Sequence, residues 1–128
     1  MLDERIYQSY IGILKEEMIP AMGCTEPIAL AYGAARARDV LGKEPEHIIA
    51  KCSGNIIKNV RCVIIPNSGG LTGIEAGVVL GAVAGDPSLN MEVLSKVNES
   101  ERKRCRELLD KKICKVELLD SPVVLHFI

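Results

Sequence analysis

The sequence is poor in aromatic residues. Only 3% of its 128 residues are aromatic, Phe127 is the single phenylalanine, and there is no tryptophan. Because 48% of the residues are nevertheless hydrophobic, the core must be built from aliphatic side chains, which favours closely packed helices. The length suits one domain with a core of its own.

A surplus of charge and a long apolar run are also missing. Sixteen Lys and Arg stand against 17 Asp and Glu, for a formal net charge of −1, so no basic surplus favours nucleic acid or anionic lipid as a partner. The first ten residues, MLDERIYQSY, lack the apolar core of a signal peptide, and no apolar run approaches the roughly 18 residues that span a bilayer. We therefore expect a cytoplasmic protein without nucleic-acid or membrane partners.

The cysteines form no CxxC pair, so neither a disulfide framework nor a zinc finger is indicated. There are five of them: Cys24, Cys52, Cys62, Cys105 and Cys114. Cys52 and Cys62 lie between apolar neighbours and are expected to be core thiols. Cys105 and Cys114 lie in or beside a charged helix that we expect to be exposed.

Hydrophobic periodicity and turn residues predict helices interleaved with short strands. The predicted helices cover residues 3–19, with one face buried, 27–41, 72–85 and 99–112, and a further solvated helix covers 91–97. The predicted strands cover residues 47–51, 60–65, 113–118 and 123–128. This order predicts an α+β or α/β fold in a single domain. The last strand would leave an apolar edge, which we expect further chain or another subunit to close.

Two stripes of small residues predict a close pair of helices. Their members recur every four residues: Ala29, Gly33 and Ala37 on the first helix, and Gly73, Gly77, Gly81 and Gly85 on the second. Glycine inside a helix costs about 0.5–1 kcal/mol relative to alanine, so some contact must offset the loss. Two explanations stay open: backbone-to-backbone packing of the two helices, or room for a cofactor or substrate to reach the backbone.

Residues 22–27, Met-Gly-Cys-Thr-Glu-Pro, place Cys24 directly before a helix whose first turn holds Pro27,. Helix N-termini favour negative charge, so a thiolate is stabilised there, as in nucleophilic or metal-ligating cysteines. The alternative is a buried structural thiol, which is the usual fate of a free cysteine.

Polar side chains also cluster at 53–59 and in the glycine-rich turn at 66–73. They are Ser53, Asn55, Lys58, Asn59 and Asn67, and Gly69 lies in the turn. A glycine turn that opens a helix presents N–H groups to an anion, so we predict a site for a small zwitterion or carboxylate. Ordinary turn chemistry is the alternative. No Gly-Lys-Ser/Thr closes the turn, which excludes a P-loop.

The blocks Gly-Cys-Thr-Glu-Pro at 23–27, Ser-Gly-Asn-Ile-Ile-Lys-Asn at 53–59 and Ile-Pro at 65–66, with the glycine helix after them, resemble the L-cysteine desulfidase and L-serine dehydratase α-type family of iron–sulfur lyases. The resemblance covers residues 1 to about 85, and residues 60–62 depart from its more glycine-rich pattern. It implies that residues 1–128 are the N-terminal part of a longer lyase. It also implies a four-iron four-sulfur (4Fe-4S) cluster held by three cysteines, of which Cys24 matches the first.

The implied reaction is α,β-elimination of L-cysteine or L-serine to pyruvate and ammonia, with sulfide or water, assisted by an open iron of the cluster. Glu26 and Lys58 are the candidate bases. The candidate substrate-binding residues are Thr25, Ser53, Asn55, Asn59, Asn67 and Gly69. The implied partners are the small amino-acid substrate and the rest of the enzyme or a second subunit, including a homo-oligomer.

Two rival functions stay open at this point. One is a non-catalytic recognition or assembly module that holds no cluster on its own. The other is a thiol enzyme that uses Cys24 covalently, although neither His47 nor His126 has an evident reason to lie beside that thiol.

Overall fold

The computed structural model describes residues 3–128, so Met1 and Leu2 lie outside the described part of the chain. Helices and strands alternate along it, and the predicted α+β class is confirmed. The elements are α1 (Glu4–Glu17), α2 (Thr25–Leu41), β1 (Ile48–Ser53), α3 (Gly54–Val60), α4 (Gly73–Ala84), a 3-10 helix (Pro87–Glu92), α5 (Glu99–Asp110) and β2 (Cys114–Leu119). No helix among the described residues is long and apolar enough to cross a membrane.

Local sequence signals explain where several helices begin and end. Asp3 caps α1 by accepting a hydrogen bond from the backbone N–H of Arg5,. Asn98 and Glu101 form a capping box at the start of α5, in which each side chain accepts from the other residue's backbone N–H,. Gly42 ends α2 in the left-handed conformation, with φ of 75°, which glycine adopts without steric cost.

The sheet has β1 at its centre. Strands β1 and β2 pair in parallel, from Ile48 opposite Cys114 to Ser53 opposite Leu119. On the other edge of β1, Lys51 exchanges two backbone hydrogen bonds with Ile128. Of the strand predicted at 123–128, only this short antiparallel contact forms. The edge of that segment that faces β1 is paired with β1 and is not free.

Two predicted elements are wrong. Val60 is the last residue of α3 rather than the start of a strand, and only Ile64 of the segment 60–65 forms an isolated bridge, with Thr72. The segment 91–97 is not a solvated helix, because Val93, Leu94 and Val97 are buried in the core. Ile65 in the first segment, and Val93, Leu94 and Val97 in the second, fill the core from outside regular helices and strands, so a regular period was not needed.

Helix α1 follows its predicted span, but the buried face predicted for it is wrong. None of its described residues is buried. The apolar residues that were expected to enter the core are instead about half exposed or more: Ile6, Tyr10, Ile13, Leu14 and Met18.

Helix α4 is the centre of the core. Nine of its 12 residues are buried. One aliphatic cluster joins α4 to α2, the 3-10 segment and α5, and a second joins it to α2, α3 and β1. Burial on most sides of one helix explains its nearly continuous apolar sequence.

The glycine stripe of α4 packs against α2. A side chain at Gly81 would overlap the backbone of Ala31, and one at Gly85 would come within 2.8 Å of the Cβ of Ala35. Close helix packing, the first of the two explanations, is therefore what the structure supports. Arg38 strengthens this contact, because its guanidinium donates to the carbonyl of Gly85 at 2.9 Å.

The stripe on α2 is not the predicted one. Ala31 and Ala35 face α4, so the expected face of Ala29, Gly33 and Ala37 is wrong by about half a turn of the helix. Gly33 serves another contact, since a Cβ there would overlap the ring of Phe127. The sequence could not signal this, because the two residues lie 94 positions apart.

We predict that Gly81→Ala lowers the free energy of unfolding by about 1–3 kcal/mol, because the added methyl group forces two helix backbones apart. Gly12→Ala is the matched control: Gly12 also lies inside a helix, but nothing lies within 4 Å of its added Cβ. That change should leave the free energy unchanged or raise it slightly. Urea denaturation measures both, and equal effects would contradict close packing at Gly81.

Candidate functional site

Cys24 lies at an exposed helix start. It is the N-cap residue of α2, with φ of −58° and ψ of 140°, and its side chain makes no capping hydrogen bond. The thiol is exposed, so the alternative of a buried structural thiol is wrong. The backbone N–H groups of the first turn of α2 point toward the same region, as at any helix N-terminus.

A hydrogen bond links this helix start to α3. The side-chain amide of Asn59 donates to the carboxylate of Glu26 at 3.2 Å. Glu26 is half-buried in the first turn of α2, and Asn59 is exposed in the last turn of α3. Two residues 33 positions apart, both predicted as site residues, are therefore brought together by the fold.

The turn that follows residue 65 meets the same region. A Cβ added at Gly23 would lie only 3.1 Å from the ring carbon Cγ of Pro66, so the two chain segments are in contact. We call the surface formed by Gly23, Cys24, Thr25, Glu26 and Asn59 the Cys24 corner. It joins two stretches that the sequence singled out separately, and Pro66 of the third lies against it.

Ser53 and Asn67 hold the fold together. Ser53 is 2% exposed and its hydroxyl donates to the carbonyl of Val124 at 2.7 Å. The amide of Asn67 donates to the carbonyl of Leu94 at 2.8 Å, and its oxygen accepts from Arg102 at 2.9 Å. Both side chains are thus engaged in hydrogen bonds that stabilise the fold, and neither belongs to the Cys24 corner.

The remaining predicted residues have mixed positions. Lys58 is exposed on α3, and Asn55 is half-buried on the same helix. Gly69 has φ of 73° in the turn, and a Cβ there would lie 3.3 Å from the guanidinium of Arg106. Sequence reasoning missed this contact, since the charged helix that carries Arg106 was expected to be exposed.

The charge beside the turn is partly neutralised. Glu99 bridges two of the guanidinium groups of α5, at 2.8 Å to Arg102 and 2.8 Å to Arg106. The hydrogen bond from Arg102, and then that from Arg106, holds the pKa of Glu99 below its ordinary value. The turn is therefore no open cationic pocket, although two arginines flank it.

The other thiols differ from expectation in two cases. Cys62 is exposed rather than in the core, because it lies in the turn after α3. Cys105 is buried rather than exposed, because it points inward from α5. Burial raises the pKa of Cys105 to about 11 and that of Cys114 to about 12. Burial also raises the pKa of Cys52, whose predicted core position is confirmed.

Within residues 3–128, no group of three or more His, Cys, Asp or Glu side chains is placed to hold a metal ion. A 4Fe-4S cluster requires several thiolate ligands around one centre. The described residues therefore do not fit such a cluster.

An apolar cavity lies elsewhere. It has a volume of about 280 Å³ and lies between α2, β1 and residues 127–128, and its lining includes Gly33, Ala34, Ile48 and Phe127. None of the predicted site residues lines it. Since apolar lining offers nothing to orient a polar ligand, we take the Cys24 corner as the candidate site.

Comparison with known proteins gives relatives that carry the name UPF0597 protein. The chain is 46% identical over 125 residues to one from Treponema denticola, 47% over 121 residues to one from Desulfitobacterium hafniense, and 53% over 114 residues to one from Finegoldia magna. These matches cover 98%, 94% and 89% of this chain. They cover 29%, 28% and 27% of the relatives, so the chain spans less than a third of their length.

No family model matches the chain. No solved structure matches it either.

These relatives correct the resemblance drawn from the sequence. They are named UPF0597 proteins and not iron–sulfur lyases. The assignment to the L-cysteine desulfidase and L-serine dehydratase family is therefore wrong. The predictions of an N-terminal lyase fragment, of α,β-elimination and of an iron–sulfur protein depended on that assignment and are wrong as well. The physical reason is that a cysteine followed by Thr-Glu-Pro in the first turn of a helix marks a local helix start, which does not specify a reaction.

We predict that Cys24 and Cys62 are alkylated first near neutral pH, because both are exposed. Cys52, Cys105 and Cys114 should react only on unfolding, since burial leaves them little thiolate. Iodoacetamide labelling with peptide mapping measures the order, and the unfolded chain, in which all five thiols should react, is the control. Cys62→Ser should leave a single fast thiol at Cys24. Labelling of Cys105 as fast as that of Cys24 would contradict the burial.

We also predict that this chain alone binds no stoichiometric iron–sulfur cluster, because only one cysteine lies at the Cys24 corner. Anaerobic incubation with iron and sulfide, then gel filtration and optical absorption, measures this. A cluster absorption band that survives gel filtration and disappears in Cys24→Ser would refute the prediction.

Proposed function

We propose that this chain binds a small ligand with both an amino and a carboxylate group, such as an amino acid, at the Cys24 corner. The observation that carries the proposal is the hydrogen bond from Asn59 to Glu26 at 3.2 Å. It holds a carboxylate in place in the first turn of α2, two residues after the exposed Cys24. A positioned carboxylate pairs with an ammonium group through charge-assisted hydrogen bonds.

The carboxylate end of the ligand has its own partners in the proposal. The first turn of α2 offers the unpaired backbone N–H groups of Thr25 and Glu26, and such groups bind anions. The exposed hydroxyl of Thr25 can donate as well. Lys58, in the last turn of α3, supplies positive charge on the side of Asn59. A zwitterion matches this arrangement better than an ion of one sign does.

Cys24 then contacts the rest of the ligand. We propose binding rather than covalent catalysis for it, because a thiol nucleophile needs a base within hydrogen-bond reach. His126 is occupied in another way, since its Nδ1 lies 2.8 Å from the hydroxyl of Ser121. The five free cysteines support our further proposal that the protein works in the reducing cytoplasm.

We predict that L-serine and L-cysteine perturb the backbone amide signals of Thr25, Glu26 and Asn59 in NMR titrations. Propionate and ethylamine, each with one of the two charges, should bind at least about tenfold more weakly, because a charge-assisted hydrogen bond contributes roughly 1.5–3 kcal/mol.

Two variants test the residues involved. Glu26→Gln should weaken L-serine binding about tenfold or more, whereas Glu16→Gln, an exposed glutamate of α1, should leave it unchanged. Asn59→Ala should weaken binding less, since it removes only the hydrogen bond that positions Glu26. Signal changes confined to other residues, or equal losses in the two glutamate variants, would overturn the proposed site.

A further inference from the structure

Helix α1 carries an apolar face that no described element covers. The face consists of Ile6, Tyr7, Tyr10, Ile13 and Leu14, each between 47% and 54% exposed. The spacing of positions 6, 10, 13 and 14 puts these side chains on one side of a helix. The opposite side is polar and includes Gln8 and Lys15.

A helix of this kind needs a packing partner. Isolated helices shorter than about 12–15 residues are marginal in water, because their stability comes from burying an apolar face. Helix α1 has 14 residues and none is buried, whereas α4 has 12 residues of which nine are buried. The apolar face of α1 is thus exposed, whereas the apolar surface of α4 is buried.

The lengths of the relatives indicate the partner. The match to the Treponema denticola protein covers 98% of this chain, so it includes α1, but it covers only 29% of that relative. Most of the relative's length therefore lies outside the match. We propose that the apolar face of α1 is the docking surface for the polypeptide that the UPF0597 relatives carry outside the matched part.

The charges of α1 favour a protein partner over a lipid surface. The helix carries Arg5 and Lys15 but also Glu4, Glu16 and Glu17. Helices that lie on anionic membranes are instead rich in lysine and arginine on the polar side. Tyr7 and Tyr10 also suit a protein groove, since their rings bury apolar area while their hydroxyl groups reach polar atoms at the rim.

The experiment compares hydrogen exchange of α1 in two proteins. One is this chain alone, and the other is a chimera in which this chain replaces the matched part of the Treponema denticola protein. The amides of α1 should exchange at least about tenfold more slowly in the chimera, because docking adds the cost of undocking to each opening. The amides of α4 should be protected in both, which shows that each protein is folded.

Matched variants locate the interface. In the chimera, Ile13→Asp should return the exchange of α1 to the rate of the isolated chain. Gln8→Asp introduces the same residue on the opposite side of the helix and should keep the protection. If Ile13→Asp prevents folding of the chimera, Ile13→Ala replaces it, with the same direction expected.

Three results would overturn the proposal. The first is equally fast exchange of α1 in the chimera and in the isolated chain. The second is protection in the isolated chain that rises with its concentration, since a second copy would then cover the face. The third is protection that requires vesicles of phosphatidylcholine and phosphatidylglycerol, which would assign the face to lipid.

Discussion

The contact between α2 and α4 is the constraint on which the rest of the structure depends. At Gly81 the backbones are so close that a single methyl group would overlap Ala31. Such an approach maximises dispersion contacts between aliphatic surfaces and compensates for the scarcity of large aromatic side chains. The cost is that glycine must occupy the α4 side of the contact. The core then forms on both flanks of this helix pair, with α5 on one side and with β1 and α3 on the other.

The same contact positions the Cys24 corner. Near the start of α2, a Cβ added at Gly77 would lie 3.6 Å from the carbonyl oxygen of Pro27 and 3.3 Å from the side chain of Ile65. The start of α2 and the segment before the glycine turn are thus fixed against one helix. Cys24 and Glu26 belong to that start, so the arrangement of polar groups at the corner follows from apolar packing beneath it.

The structure also distinguishes segments that pack against one another from a helix whose apolar face is exposed. The chain end closes β1 through Ile128, and Phe127 covers Gly33. Polar side chains such as Ser53 and Asn67 form hydrogen bonds that link one chain segment to another. Helix α1 differs from these segments, because none of its residues is buried and its apolar face is about half exposed. An apolar pattern specifies that a face will be buried and does not specify by what.

The sequence by itself determined the class of the fold and most of its elements. Periodicity and caps placed α2, α4 and α5, because these signals act within a few residues. It also singled out Cys24, Glu26 and Asn59, but it could not show that the last two meet, since 33 residues separate them. Only the tertiary structure decided which face of α2 meets α4, that Cys105 is buried and Cys62 exposed, and that Phe127 lies on Gly33. These features depend on contacts between distant segments, and a local pattern holds no information about its partner.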